Sequence, residues 1–130
     1  MSLLLLDTHV LFWLSAEPDR LSPAANKAID AATDLAVAGV TWYELAWLAN
    51  AGRISIALPL RTWLTGLAED VITLPLTPSI ADTGVNLPNP FPNDPADRQI
   101  FATAVEHGIQ LVSRDGKLRN FPYPREIIVW

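Results

Sequence analysis

The sequence predicts an α/β fold with three layers, α/β/α, around a mainly parallel central sheet of about five strands. Two observations carry this. Short, wholly apolar runs alternate along the chain with longer stretches whose apolar residues recur at helical spacing. The runs also lack the in-out alternation of a half-solvated strand, as expected of strands covered on both faces. At 130 residues the chain is long enough to bury a real core, and residues 1–130 are read as one domain.

Residues 3–6, four leucines, form the first strand, closed by Asp7 and Thr8. Over residues 9–15, Val10, Leu11, Trp13 and Leu14 keep helical spacing, and Pro18 stops it. Ser22-Pro23 is a cap followed by a first-turn proline and opens a helix over residues 24–32. Residues 35–39 give the second strand. Thr41 opens the next helix, with Trp42, Leu45, Ala46, Leu48 and Ala49 as its apolar positions and Ala51-Gly52 as its stop. Thr41-x-x-Glu44 reads as a capping box. Residues 59–70 form a further helix, residues 71–74 the third strand, and Thr77-Pro78 opens a helix through Val85. Four prolines from Leu87 through Pro95, among Asn89, Asn93 and Asp94, make a rigid surface loop. Asp94-Pro95 then starts a helix ending at His107 and Gly108. Residues 109–113 are the fourth strand, residues 116–120 a short helix or turn, and residues 127–130 the fifth strand.

Composition narrows the function. The longest strictly aliphatic or aromatic run, residues 10–14, falls far short of the roughly 20 residues that span a membrane. No basic segment precedes the leucines and Asp7 interrupts them, so a cytoplasmic, unprocessed chain with no membrane association is expected. With no cysteine, neither disulfides nor zinc-thiolate sites arise, and carboxylate oxygens become the obvious ligands, which suit hard cations such as magnesium or manganese. The net charge of −5 argues against coating nucleic acid nonspecifically. Arg98 and Arg114 nevertheless adjoin two acids in the last third of the chain, and with Lys117 they are the candidates for phosphate contacts.

In open parallel sheets, sites form beyond the carboxyl ends of the strands, where the winding reverses. Asp7 and Asp115 each close a strand, and Glu44 and Asp97 fall in the first turns of helices that begin near the same edge. Each also has a local reason to be there. Asp7 caps a helix, Glu44 completes the capping box, Asp97 sits in a first helical turn and Asp115 suits a turn. Asp94, ahead of Pro95, is the better cap of its pair, and Asp97 the better ligand. Four acids forecast at one edge would form a pocket that cannot stay fully ionised without a cation, because like charges raise one another's pKa.

Leu4-Leu5-Leu6-Asp7-Thr8-His9, Thr41-Trp42-Tyr43-Glu44-Leu45, Asp94-Pro95-Ala96-Asp97-Arg98-Gln99-Ile100-Phe101-Ala102-Thr103-Ala104 and Leu111-Val112-Ser113-Arg114-Asp115 together resemble the successive motifs of the PIN-domain ribonucleases. The likeness is to the VapC-type toxins of prokaryotic toxin–antitoxin pairs in particular, and it runs nearly end to end. It implies Asp7, Glu44, Asp97 and Asp115 as a catalytic quartet binding Mg2+ or Mn2+, with Thr8 as a polar helper. It also implies an RNA substrate, a homodimer, and neutralisation by a small antitoxin protein. Asp94 adds a fifth acid, which leaves open whether Asp94 or Asp97 meets the metal, and the proline-rich loop beside it bears on substrate shape. In the chemistry expected, Asp7, Glu44 and Asp97 hold the principal ion and Asp115 completes the site or recruits a second one.

Other readings compete. Aspartate-nucleophile phosphatases carry Asp-x-Asp after the first strand, where this chain has His9, and a phospho-acceptor receiver would need a lysine at a late strand end. A different metal-dependent phosphohydrolase, or a non-catalytic interaction module whose acids only cap helices, are the alternatives. His107 suits the carboxyl end of its helix. Most of the helical tryptophans should pack in the core, but Trp42 and Trp47, five residues apart, cannot both share the innermost stripe, so one of them is expected at an interface.

Overall fold

The computed structural model describes residues 2–130. Its elements are β1 (Leu3–Leu6), α1 (Thr8–Ala16), α2 (Pro23–Ala31), β2 (Asp34–Ala38), α3 (Val40–Asn50), α4 (Leu60–Ala68), β3 (Ile72–Leu74), α5 (Pro78–Val85), α6 (Pro95–His107), β4 (Leu111–Val112), α7 (Gly116–Arg119) and β5 (Ile128–Val129). The strands lie in the order β3-β2-β1-β4-β5, and every pairing is parallel, with Leu4 opposite Leu35 and Leu5 opposite Leu111. The winding therefore reverses between β1 and β4, and a crevice opens at their carboxyl ends.

The four leucines of β1 explain the layers. Leu5 faces a core built with Phe91, Ile100, Phe101, Leu118 and Phe121. Leu4 and Leu6 face the opposite core, with Val10, Leu11, Phe12 and Leu45. A strand covered on both sides has no use for polar alternation, which is why the run is continuous. On the α1 side, four consecutive residues from Val10 to Trp13 are buried, so this helix is enclosed rather than laid on the surface. On the other side α5 meets α6 at Gly84, where a Cβ would stand 3.3 Å from the Arg98 carbonyl and 3.5 Å from the Ala102 methyl. Among the described residues no helix is long and apolar enough to cross a membrane.

Two local expectations are overturned. The N-cap of α3 is Gly39, not Thr41, and no side chain caps this helix. The Gly39 N–H is taken by the Leu74 carbonyl at 3.0 Å, so the chain passes from β2 almost directly into the helix. Thr41 falls inside the first turn, fully buried, with its hydroxyl 3.1 Å from that of Thr8. The capping box does not form, and Glu44 is released from that role. Asp115, expected in a turn, is instead the N-cap of α7.

Candidate active site

The crevice beyond β1 and β4 contains a pocket of about 430 Å³ lined by Asp7, Glu44, Asp94, Asp97 and Asp115, together with His9, Val10, Trp13 and Arg114. The strands and helices deliver these acids from four places in the chain. A larger recess of about 570 Å³ lies under the C-terminal segment, and it holds none of them.

Asp7 is buried at the end of β1. Its Oδ1 accepts from the Thr8 N–H at 2.8 Å, capping α1, and its Oδ2 accepts from the Ser113 hydroxyl at 2.7 Å. Burial raises its pKa, opposed by those two hydrogen bonds and by His9, with Asp115 adding repulsion. Ser113 also accepts from the Asp115 N–H at 3.1 Å, so one hydroxyl ties the end of β1 to the turn that carries Asp115. Asp115 itself accepts from the Lys117 N–H at 2.8 Å.

Glu44 projects from α3, and its Oε1 accepts from the Thr8 hydroxyl at 2.5 Å. Its pKa is raised by burial first, with the Thr8 bond opposing and Asp7 and Asp94 adding repulsion. Asp94 uses Oδ1 to cap α6, accepting from the N–H groups of Ala96 at 2.9 Å and Asp97 at 3.1 Å. Asp97 differs from all of these. Its carboxyl is pushed up to about 7 by burial and then by Asp7, Asp94, Asp115 and Glu44 in turn. Every neighbour that acts on it repels it.

The cationic residues are placed differently from one another. Arg114 reaches the pocket rim, its guanidinium 5.9 Å from the Trp13 ring centre. Lys117 lies in an adjoining pocket that shares Asp94, Asp97 and Asp115. Arg98 does not line the pocket and is turned to the protein itself. Its Nε donates to the Pro92 carbonyl, Nη1 to those of Gly84, Val85 and Leu87, and Nη2 to the Phe91 carbonyl and Asn93 Oδ1. A guanidinium has five N–H donors in a fixed fork, and here they fasten the proline-rich loop to α6. Its neighbour Asp97 suggested a substrate role, whereas the side chain points toward the loop.

His9, Trp13 and Ser113 also belong to the site, and the sequence reading did not place them there. His9 follows Asp7-Thr8 directly, a signal that was available, and its ring lies 5.9 Å from that of Trp13. Ser113 could not be found without knowing that β4 lies beside β1.

As they stand, no three acidic or histidine side chains among the described residues are gathered tightly enough around one point to hold an ion. The donor set still suits a hard divalent cation. Five carboxylates face one pocket against a single arginine at its rim, and oxygen ligands of this kind are what magnesium and manganese take.

The PIN domain family profile matches residues 4–122. Ribonuclease VapC22 of Mycobacterium tuberculosis is 55% identical over 130 residues, covering the whole of both chains. A toxin–antitoxin complex from Klebsiella pneumoniae shares the fold with a TM-score of 0.65 at 23% identity, over 95% of this chain and 98% of that one. VapBC2 from Rickettsia felis, bound to a DNA fragment from its promoter, does so with a TM-score of 0.66 at 11% identity, over 97% and 96%.

Proposed function

This chain belongs to the PIN-domain family, and on that footing we propose that it is a VapC-type toxin: an endoribonuclease dependent on Mg2+ or Mn2+ that hydrolyses RNA phosphodiester bonds. The meeting of Asp7, Glu44, Asp97 and Asp115 in one pocket carries the reading. A small antitoxin protein is the proposed partner and a homodimer the proposed assembly. The structural neighbours, themselves toxin–antitoxin complexes, support the first of these.

Asp7, Glu44 and Asp97 would hold the principal ion, with Asp115 completing the set and Asp94 at its margin. When bound, such an ion supplies a Lewis acid for the phosphate and lowers the pKa of water toward neutrality. The protein's own contribution is to orient. Thr8 and Ser113 each occupy one side of a carboxylate, which fixes the direction of its remaining lone pairs. Asp97, which no neighbour stabilises in its charged form, would be drawn into that form when a cation arrives. Arg114 and His9, which line the pocket, would meet a phosphate.

The test is cleavage of single-stranded RNA with and without Mg2+ or Mn2+, by the wild type and by Asp7→Asn. Cleavage that requires the metal and vanishes in the variant is expected. Equal cleavage under chelation and in the variant would rule the proposal out.

A further inference from the structure

The carboxylate pocket is the middle one of three. On one side it shares His9 and Trp13 with a pocket of about 500 Å³ whose polar residues include Arg20 with its partner Glu17, Arg53 and Ser55. On the other it shares Asp94, Asp97 and Asp115 with a pocket of about 460 Å³ that also presents Asn93, Lys117 and Asn120. We propose that the three form one groove seating a single strand of RNA across the carboxylates, with Arg53 and Lys117 holding phosphates on the two sides of the cleaved bond and Asn93 and Asn120 reading a base beside Lys117. This rests on the ribonuclease reading and extends it to the path and specificity of the substrate.

The sign of charge alternates along the groove. Its centre is acidic and repels phosphate until a cation is bound, whereas each end carries a positive side chain. Arg53 and Lys117 are both exposed. The ion pair formed among the described residues is Arg20 with Glu17, which leaves Arg53 and Lys117 without an acidic partner there. Neither is a loose tether. Gly52, at φ 73°, turns the chain after α3, and the Arg53 N–H closes on the Leu48 carbonyl at 2.8 Å. The Lys117 N–H is held by Asp115. Both charges therefore spring from backbone that is fixed relative to the acids.

The Arg53 end also suits bases rather than a duplex. The Trp47 ring, outside the pocket lining but 53% exposed, lies 6.0 Å from the Arg53 guanidinium, whereas at the other end the wall is two prolines and a Phe121 buried against Phe91 and Phe101. Aromatic faces beside cations take unstacked bases, whereas an A-form helix keeps its bases stacked and its major groove too deep and narrow for side chains to read. Asn93 gives its Oδ1 to Arg98, so its amide N–H groups remain as donors. Asn120 offers both a donor and an acceptor.

The decisive measurement is fluorescence anisotropy of a short mixed-sequence RNA, single-stranded or annealed to its complement, with Mg2+ in an Asp7→Asn background. Arg53→Ala and Lys117→Ala should each weaken single-strand binding by about tenfold and lower the slope of its salt dependence by about 0.7 for the one phosphate that each no longer neutralises. Arg53→Lys should restore most of the affinity, and the duplex should bind more weakly than the strand. In the otherwise wild-type protein both alanine variants should raise KM more than they lower kcat, and Asn93→Ala or Asn120→Ala should change the base preferred on one side of the cut. Unfolding temperatures establish that the variants are folded. Unaltered affinity and KM, with cleavage still absent in Asp7→Asn, overturns the groove and leaves the ribonuclease standing. Weakened capture of a protein partner with RNA binding intact gives this surface to that partner and overturns the groove as well. A wild type that neither binds nor cuts the RNA brings down both.

Discussion

Two hydroxyl groups beneath the pocket decide how its acids are presented. Ser113 donates to Asp7 and Thr8 donates to Glu44, so each carboxylate enters the pocket already oriented. Removing the Ser113 hydroxyl as Ser113→Ala should cost about 10- to 100-fold in metal affinity or cleavage, as removal of an outer hydrogen-bond partner commonly does, and about 1–3 kcal/mol of stability, because buried Asp7 loses a donor and the Asp115 N–H an acceptor. A variant as active as the wild type would show that Asp7 needs no such support. Asp7→Asn should abolish RNA cleavage while leaving the unfolding temperature equal or higher. The amide oxygen still accepts from the Thr8 N–H, its NH2 can donate to Ser113, and a buried charge is gone. A marked drop in stability would mean that the ionised group holds the fold together. Asp7, Asp97 and Asp115 were legible because they follow a strand or sit in a first helical turn, whereas Glu44, expected in a first turn, lies one turn deeper in α3 because that helix starts at Val40. Ser113 was not, because it meets Asp7 across 106 positions and nothing local marks it.

At the level of elements, periodicity and punctuation found the helices and strands with small errors at their ends. Residues 59–70 became Leu60–Ala68 and residues 127–130 became Ile128–Val129, because terminal turns fray and short edge strands pair only in part. Where local grammar failed, tertiary contact had prevailed: Thr41 fits a capping box by spacing, yet the Leu74 carbonyl takes Gly39 and sets the helix start. The loop before α6 makes the same point through Arg98. Five backbone carbonyls converge on its guanidinium, so Arg98→Ala should destabilise the protein by roughly 2–3 kcal/mol, the scale of charged hydrogen bonds removed from a part-buried site. Urea unfolding measures this, and a change below about 0.5 kcal/mol, the range of ordinary surface substitutions, would show that the loop holds without it.

Taken whole, the molecule places three carboxyls with raised pKa values in one crevice, and its stability should follow pH accordingly. A carboxyl that binds its proton more tightly when folded than unfolded favours folding while protonated, and the advantage is lost as pH climbs from the ordinary 3.8 toward about 7 for Asp97. The unfolding temperature of the chelated protein should therefore fall between about pH 4 and about pH 7, and added Mg2+ should recover it most at the upper end. A flat profile would mean that the acids do not press on one another. The edge where they gather was legible from strand ends alone, but the strand order that makes β1 central was not, since it depends on which runs pair. That order also bears on synthesis. The ribosome makes β1 first and β4 long afterwards, yet the two must lie side by side before Ser113 can grip Asp7 and Asp115 can join it. An unfinished chain thus carries a dismantled centre, which comes together only once β4 has been made.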